Sequence, residues 1–401
     1  MGGPDTERLT LRTGRGRWAV LLVAGLFLLV KLLLAWRSGG TEDIATWQTF
    51  AAGVKDKGPI DVYSIDFMKT SHRLYNHPPL AGWLLELANG LSSVGIHLRF
   101  TLRAVASIAD VCSALLTFEI VRRRSSLPHA ITAGMIVGAS PVLLLISGYH
   151  GNTDPIFVAL VLLGAFLLVD KEMAVAGGAA LALALSIKIV PIVVLPTLAV
   201  YLVRHRRSLL PRTIAAFGAV CITVWAVPVL TEWDSIRDNV FGYTGIASRQ
   251  WGLVQLAKAA HSTGLVDFMI RSGKTISFSI ACLVPAAIVW RRCDYAVQGV
   301  CLALVMFLAL SPAFGVQYLA WALAASCILN IRFAALYNLL AGLFLYFVYD
   351  HWNSGLPWTH IARGQKLTSF EVDVGLAVWV VLALLARHEV LTAWRHTPQT
   401  S

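Results

Sequence analysis

Long apolar segments alternate with short polar ones along the chain, at the spacing of membrane-spanning helices. A helix needs about 20 apolar residues to cross a bilayer, and charged or aromatic residues mark its ends. We predict twelve spans, at residues 18–36, 101–121, 129–147, 155–170, an interrupted pair across 173–203, 212–230, 274–291, 296–312, 315–330, 333–350 and 371–387. The predicted fold class is therefore all-α, a polytopic membrane protein of about twelve helices.

Residues 78–95 are apolar enough to resemble a span, but they contain Glu86, Asn89 and two adjacent prolines. We predict instead a helix that lies on the membrane surface. The arginine distribution favours this choice, because cytoplasmic loops carry an excess of Lys and Arg. A full span at this position would move Arg122–Arg124 outside and invert everything after it. Both termini are then predicted to be cytoplasmic.

This topology leaves two long external loops, at residues 37–100 and 231–273, and a shorter one at 351–370. Loops of this length in a compact fold usually carry function, and we expect the first one to form surface helices. The sequence shows no internal repeat and no glycine-rich phosphate loop. The whole chain, residues 1–401, is predicted to be a single membrane domain.

Composition agrees with this assignment. The chain is 57% apolar and 14% charged, against roughly 25% charged in an ordinary soluble domain. The deficit excludes a soluble enzyme, a disordered protein and a nucleic-acid module, so the net charge of +11 reflects cytoplasmic arginines. The six cysteines lack metal-ligand spacing and are predicted to be small core residues. The Ala-rich spans and short loops indicate a bacterial inner (plasma) membrane.

Polar and ionisable side chains at the ends of spans are costly, so each is a functional candidate. In the predicted topology they converge on the external face. The candidates are Glu42, Asp43, Tyr75, Asn76, His77, His150, Asn152, Asp154, Lys188, Arg249, Gln250, Trp251, Ser311, Pro312, Gln317 and Tyr318. This convergence predicts one external site.

Structural roles compete with functional ones at several positions. Asp43 and Asp154 could serve as helix caps, since an acid at a helix start is ordinary. Lys188 could extend its ammonium group to the lipid headgroups. Arg103 and Asp110 lie seven residues apart on one helix face, a spacing that suits an internal structural contact. We therefore expect this last pair to serve structure.

Several stretches resemble a known enzyme class. TEDIATWQTFAAG follows the first span, YNHPPLAGWLL ends the first external loop, and RAVASIADVCSALLTFEIVRRR comes next. They are similar to the polyprenyl-phosphate-sugar-dependent glycosyltransferases of the GT-C class, above all the dolichyl-phosphate-glucose-dependent alpha-glucosyltransferases. In those enzymes a YPPL-type motif precedes a helix with an Ala-Asp pair, which correspond here to Tyr75–Leu80 and Ala109–Asp110. HGNTDP and the Lys188–Pro191 stretch resemble bacterial mannosyltransferase-like members.

The resemblance implies a GT-C-like fold, a lipid-linked sugar donor and an external active site. It also implies that an acidic residue of the first external loop is the general base. On this sequence the base is Asp43, with Glu42 beside it as the second catalytic candidate. Asp56, Asp61 and Asp66 remain further acidic candidates in the same loop.

The leaving group of such a reaction, a polyprenyl phosphate, needs cationic or hydrogen-bonding stabilisation as its charge develops. The residues predicted to bind the donor phosphate or sugar are Lys188, Arg249, His150, Asp154, Gln317, Tyr318 and Trp251. Tyr75, Asn76 and His77 are predicted to contact the acceptor or to order the loop. The chemistry requires no metal or other cofactor, although the acidic loop residues leave a divalent metal open.

The favoured function is inverting transfer of a hexose, glucose or mannose, from a polyprenyl phosphate to a lipid-linked saccharide or glycolipid. The expected partners are these two lipids and the surrounding membrane, without nucleic acid. One alternative is a flippase or transporter of lipid-linked sugars, and another is a non-catalytic partner in a membrane complex. Transporters tend to contain repeated halves with broken helices, whereas this chain has one interrupted pair.

Overall fold

The computed structural model describes residues 4–243, 245 and 250–395 and confirms the predicted all-α polytopic fold. The α-helices, in chain order, are α1 Pro4–Arg37, α2 Glu42–Asp61, α3 Phe67–Ser71, α4 Pro79–Ser93, α5 Leu98–Arg122, α6 Leu127–Gly138, α7 Pro141–Leu145, α8 Asp154–Ala165, α9 Ala174–Ile187, α10 Leu195–His205, α11 Leu210–Thr231, α12 Trp233–Ser235, α13 Gly252–Ala259, α14 Thr263–Arg291, α15 Ala296–Leu310, α16 Leu319–Leu329, α17 Ile331–Asn353 and α18 Ser369–Arg395. Short 3-10 and π-helical turns join several of them. Within the described ranges there is no β-strand, only an isolated bridge between Thr41 and Ala362.

In the described part of the chain, eight helical segments are long and apolar enough to cross a membrane. These segments are Thr13–Arg37, Leu98–Arg122, Leu127–His150, Arg207–Thr231, Thr263–Arg291, Cys293–Leu310, Ile331–Asn353 and Ser369–Arg395. The shorter apolar helices are Ala174–Ile187, Val190–His205 and Val316–Leu329. The multi-pass architecture is therefore confirmed, while the number of twelve spans stays a prediction.

Polar side chains gather at the two ends of the helix bundle. One end, here called the inner end, is marked by arginine ion pairs that join Arg17 to Glu119, Arg124 to Asp170 and Arg206 to Glu172. The opposite end, here called the outer end, holds residues 38–97 and the segment 354–368, which touch each other through the Thr41–Ala362 bridge. The loops predicted to be external thus meet at one end of the bundle.

The interrupted pair across residues 173–203 is two helices because the chain cannot stay helical between them. α9 ends at Ile187, and Lys188 adopts an extended conformation with φ −153° and ψ 145°. Pro191 follows in a 3-10 turn, Val190–Val194, where a residue without an N–H cannot continue an α-helical ladder. The break frees the Lys188 side chain from the helix surface and turns it toward the outer end.

The first external loop forms a helical unit with a small core of its own at the outer end. α2 and α4 enclose the buried side chains of Trp47, Phe50 and Leu85. Burying one such side chain stabilises the fold by about 1.5–3 kcal/mol. The opposite face of α4 exposes Trp83 and Glu86, so this helix is amphipathic. A surface position for residues 78–95 in the membrane stays a prediction.

Charged groups buried inside the bundle are hydrogen-bonded, as Lys31 and Arg103 show. The Lys31 ammonium lies 2.6 Å from Oδ2 of Asp110 and joins α1 to α5. Arg103 donates to the hydroxyl of Ser38 at 2.9 Å and to the carbonyl of Tyr149 at 3.3 Å. Arg103 and Asp110 therefore make structural polar contacts with other segments rather than with each other.

Candidate active site

Asp43 lies in the first turn of α2, at the outer end. Thr41 is extended, with φ −102° and ψ 176°, so the helix begins at Glu42 and both acids face its N-terminus. Negative charge is favourable there because the helix dipole is positive at that end. The Asp43 side chain is 39% exposed and lines a cavity of about 160 Å³. It is therefore held by the fold and still open to a ligand.

A π-helical turn, Ile146–His150, brings His150 to this carboxylate. Such turns inside helical segments are frequent at functional sites. The turn ends at Gly151, whose φ of +81° is a conformation that glycine adopts without steric cost. As a result, Nε2 of His150 lies 2.9 Å from Oδ2 of Asp43.

Hydrogen bonds at both ring nitrogens hold His150 in place. An ionised carboxylate can only accept, so Nε2 donates to Asp43. The hydroxyl of Tyr349 lies at hydrogen-bond distance, 2.9 Å, from Nδ1. Asn152 donates to the same Oδ2 of Asp43 at 3.0 Å. Two segments far from Asp43 in the chain thus orient its carboxylate: residues 150–152 directly, and Tyr349 through His150.

The same contacts set the charge state of Asp43. Burial raises the pKa of this carboxyl, but the charge of His150 and the hydrogen bonds from His150 and Asn152 lower it, and Lys188 adds to the lowering. The resulting pKa lies below the ordinary value of 3.8. Asp43 is consequently ionised at neutral pH, which is the form that accepts a proton.

Lys188 and Asp154 form an ion pair beside this carboxylate. Asp154 is fully buried, whereas the Lys188 side chain is 17% exposed. The ammonium lies 5.4 Å from the ring centroid of Tyr318 and 5.8 Å from that of Trp321, distances at which aromatic faces attract a cation. Its charge also acts on Asp43, so the cation, the aromatic rings and the carboxylate belong to one site.

The segment 354–368 closes one side of the site. The N–H of Gly39 donates to the carbonyl of Trp358 at 3.0 Å. A Cβ at Gly39 would collide with the carbonyl of His360, so glycine is needed for this close approach. Gly364 of the same segment lines the cavity with Asp43. The cavity therefore lies between the first and third external loops.

His77 is buried in the first loop, where its ring stacks on Trp47 with centroids 4.2 Å apart. Burial lowers the pKa of His77 to about 3, the charge of Lys188 adds to this lowering, and Asp43 opposes it. The imidazole is therefore neutral at physiological pH. Its position within reach of both charges places it beside the site.

The neighbouring residues join the external loops. The side chain of Asn76 interacts with the hydroxyl of Tyr243 in the second external loop. Tyr75 is 2% exposed and packs in the core of the first loop. The structure thus places Tyr75, Asn76 and His77 together at the contact between two external loops.

Glu42 and Gln317 also come to the cavity. Glu42 lines it beside Asp43, but its carboxylate is paired with the guanidinium of Arg73 and does not contact His150 in the described structure. Gln317 lines the same cavity from the turn before α16. Both predicted residues are therefore next to the carboxylate, in different chemical environments.

Trp251 lies apart from the cavity. It is 1% exposed, and its ring stacks on Phe314 with centroids 3.9 Å apart and planes nearly parallel. One face of the indole is therefore covered by protein. Arg249 lies outside the residues that the structure describes.

Residues missed by sequence reasoning complete the site. Tyr349 orients His150, Trp321 faces Lys188, and Tyr243 interacts with Asn76. Tyr349 lies near the outer end of a predicted span, where aromatic residues are expected as interface anchors. Its position gave no sign that it reaches a histidine 199 residues away in the chain.

Nitrogen donors already engage the two acids of the site. His150 and Asn152 contact Asp43, and Lys188 contacts Asp154. In the described ranges, no group of three or more His, Cys, Asp and Glu side chains could hold a metal ion. The arrangement is suited to proton transfer and to stabilisation of negative charge.

Comparison with known proteins supports this view. Residues 76–231 match the family model described as dolichyl-phosphate-mannose-protein mannosyltransferase. The matched segment contains His150, Asp154 and Lys188, while Asp43 lies before it. No curated protein matches the chain. The match confirms the resemblance to the GT-C class: residues 76–231 of this multi-pass membrane protein are similar to a GT-C type glycosyltransferase family whose members use polyprenyl-phosphate sugars.

Proposed function

We propose that this protein is an inverting hexosyltransferase, acting on the external face of the membrane. It would move glucose or mannose from a polyprenyl phosphate to a lipid-linked saccharide or glycolipid. The family match supports the donor class. The meeting of Asp43, His150 and Lys188 at the outer end supports a site on that side.

One observation carries the proposal. Within the described residues, both hydrogen bonds to the Asp43 carboxylate end on Oδ2. Oδ1 is therefore the oxygen that can accept a proton. Because the side chain is 39% exposed and lines a cavity, an acceptor hydroxyl can reach it. A fixed, ionised and accessible carboxylate is what a general base requires.

Sugar transfer by this route needs one carboxylate, that of Asp43. The acceptor hydroxyl gives its proton to Oδ1 of Asp43 while its oxygen bonds to the anomeric carbon. The bond from that carbon to the phosphate oxygen breaks, and the polyprenyl phosphate leaves with the electron pair. A single displacement inverts the configuration at the anomeric carbon. No covalent intermediate forms, so no second carboxylate is needed as a nucleophile.

Lys188 is the cation available to the leaving phosphate among the described residues that contact this site. In the structure its ammonium is shared with Asp154 and two aromatic rings. A donor phosphate that reached this ammonium would compete with Asp154 for it. Preorganised positive charge of this kind stabilises the developing negative charge of the transition state.

The test is transfer of labelled sugar by purified protein in lipid vesicles. Synthetic polyprenyl-phosphate-glucose and polyprenyl-phosphate-mannose are supplied separately, together with an extract of host lipids as acceptor. We expect label from one β-linked donor to appear in a glycolipid, in a bond that an α-glycosidase cleaves. A β-linked product would contradict inversion. Movement of either intact donor between leaflets, without transfer, would favour the transporter.

A further inference from the structure

The ring nitrogens of His77 form no hydrogen bond with the described residues. One face of the ring stacks on Trp47, with centroids 4.2 Å apart, and only the backbone carbonyl of His77 accepts a bond, from the hydroxyl of Tyr63 at 2.6 Å. The ring packs in the first loop, yet the residue is partly exposed. Neither nitrogen is a buried atom without a partner, so both stay open to a ligand.

The fold holds this imidazole in place before a ligand binds. Pro78 and Pro79 follow directly, and a residue before proline is confined to extended conformations. The bond from Tyr63 fixes the carbonyl, and the stack on Trp47 fixes the ring. Such preorganisation lowers the entropy cost of binding.

Two observations place the imidazole near the base and the cation at once. Asp43 and Trp47 are four residues apart on α2, so they project from the same face of the helix, one turn apart. The ring that stacks on Trp47 therefore lies on the side of α2 that carries the base. The charges of both Asp43 and Lys188 act on this ring.

In the proposed transfer, the sugar occupies the space between these two charges. Inversion requires the acceptor oxygen and the leaving phosphate oxygen to lie on opposite sides of the anomeric carbon. Asp43 serves the first oxygen and Lys188 the second, and their side chains are 39% and 17% exposed. A side chain near both charges is therefore next to the sugar.

The charge state of His77 suits a sugar hydroxyl. Burial lowers its pKa to about 3, so at physiological pH one ring nitrogen donates and the other accepts. A hydroxyl also donates and accepts, whereas an ionised phosphate only accepts.

We propose that His77 hydrogen-bonds a hydroxyl of the sugar that is transferred and so contributes to recognition of the donor. This inference rests on the proposed function and adds a residue that contacts the donor sugar. It gives His77 a donor role, where the sequence alone predicted an acceptor contact or loop ordering.

Donor binding tests the contact without relying on catalysis. Asp43→Asn protein in nanodiscs is titrated with synthetic citronellyl-phosphate-mannose, citronellyl-phosphate-glucose and citronellyl phosphate, which has no sugar. His77→Phe in the same background keeps a ring on Trp47 and removes both nitrogens. It should weaken binding of the preferred sugar-phosphate about tenfold, the loss of one hydrogen bond, and leave binding of citronellyl phosphate within twofold.

The matched control is His97→Phe. His97 is an exposed histidine at the end of the same loop, and its ring also faces a tryptophan, Trp36, with centroids 6.4 Å apart. This variant should bind all three ligands as the parent protein does. Equal loss of all three ligands in His77→Phe, no loss, or no preference of the parent for a sugar-phosphate would overturn the inference.

Transfer from deoxygenated donors tests the same contact in the active enzyme. In the wild type, removal of the hydroxyl that His77 contacts should lower kcat/KM about tenfold, and His77→Phe should lose this discrimination because the partner is already absent. A rise in acceptor KM with unchanged donor binding would assign His77 to the acceptor and overturn the inference. Sugar-dependent binding that needs His77, without any transfer, would reject the function and keep the contact. Normal transfer by His77→Phe would reject the contact and keep the function.

Discussion

Two carboxylates, Asp43 and Asp110, each contact a basic side chain from another helix, yet their surroundings differ. Asp43 meets His150 at 2.9 Å, and its side chain is 39% exposed. Asp110 meets Lys31 at 2.6 Å, and both side chains are at most 3% exposed. One pair lines a cavity, and the other is sealed between α1 and α5.

The comparison separates two uses of a charge in a membrane protein. An ionisable group inside a span is a functional candidate by default because it is costly there. Asp110 is more deeply buried than Asp43 and therefore meets that criterion better. It does not, however, line the cavity that Asp43 lines. Accessibility, and not burial alone, therefore distinguishes the proposed base from a group that ties helices together.

The largest expected effect is on transfer by Asp43→Asn. The substitution keeps the shape of the side chain but removes the proton acceptor, so kcat should fall by about 10²–10⁴-fold. The melting temperature should stay within about 2 °C of wild type, since Asp43 is half-exposed. Radiolabel transfer and thermal unfolding of the purified variants measure both quantities.

Two variants sharpen that result. Glu86→Gln, an exposed acid on the outer face of α4, should transfer sugar at the wild-type rate. Glu42→Gln distinguishes the two acids at the start of α2. Normal transfer by Asp43→Asn together with loss in Glu42→Gln would move the base to Glu42 and contradict the proposal.

A change in the buried Lys31–Asp110 pair should lower stability and leave sugar transfer nearly unchanged. Asp110→Asn leaves the Lys31 ammonium buried without its counter-charge, which should lower the free energy of unfolding by about 3–5 kcal/mol. The protein that remains folded should transfer sugar within about threefold of wild type. Thermal unfolding in nanodiscs, with activity measured per folded molecule, tests this separation.

The double variant Lys31→Met, Asp110→Leu is the control for that prediction. Replacing both charges by apolar groups removes the uncompensated ion, so most of the stability lost in Asp110→Asn should return. A stable Asp110→Asn protein without transfer would show that the comparison is wrong and that Asp110 belongs to the chemistry.

The positions of the helices could be predicted from the sequence because a span is a local property. Apolar runs at 101–121 and 212–230 correspond to α5 and α11, and the break at Lys188 follows from Pro191 and the polar side chain itself. The unit formed by residues 38–97 could be expected to be helical. How this unit packs against the loop that follows α11 depends on the shapes of the two surfaces, which no local sequence pattern encodes.

The members of the site could be predicted one by one, but not their partners. Asp43 and His150 were both candidates, although they lie 107 residues apart in the chain. Nothing in either segment specified that contact, because it depends on how α2 sits against the π-helical turn. The Arg103–Asp110 spacing indicated internal structural contacts, and both residues make them, with Ser38, Tyr149 and Lys31. The partners themselves lie in other segments and could not be predicted from the spacing.

The smallest expected effect is on the pH dependence. His150 lowers the pKa of Asp43 by its charge and its hydrogen bond, so His150→Gln should raise that pKa. A base with a raised pKa loses its ionised form at higher pH. The acid limb of kcat/KM, expected below pH 4 in the wild type because the pKa lies under 3.8, should therefore move to higher pH. Transfer at neutral pH should fall about tenfold through lost orientation.

Tyr349→Phe shows which part of this effect is electrostatic. It removes the hydroxyl that hydrogen-bonds Nδ1 of His150 but keeps the imidazole beside Asp43. Transfer should fall by about two- to threefold, while the acid limb stays where it is in the wild type. If His150→Gln lowered the rate without moving the acid limb, His150 would act on the fold of the turn and not on the charge of Asp43. Among the described contacts, Asn152 and Lys188 alone would then lower the pKa of the Asp43 carboxyl.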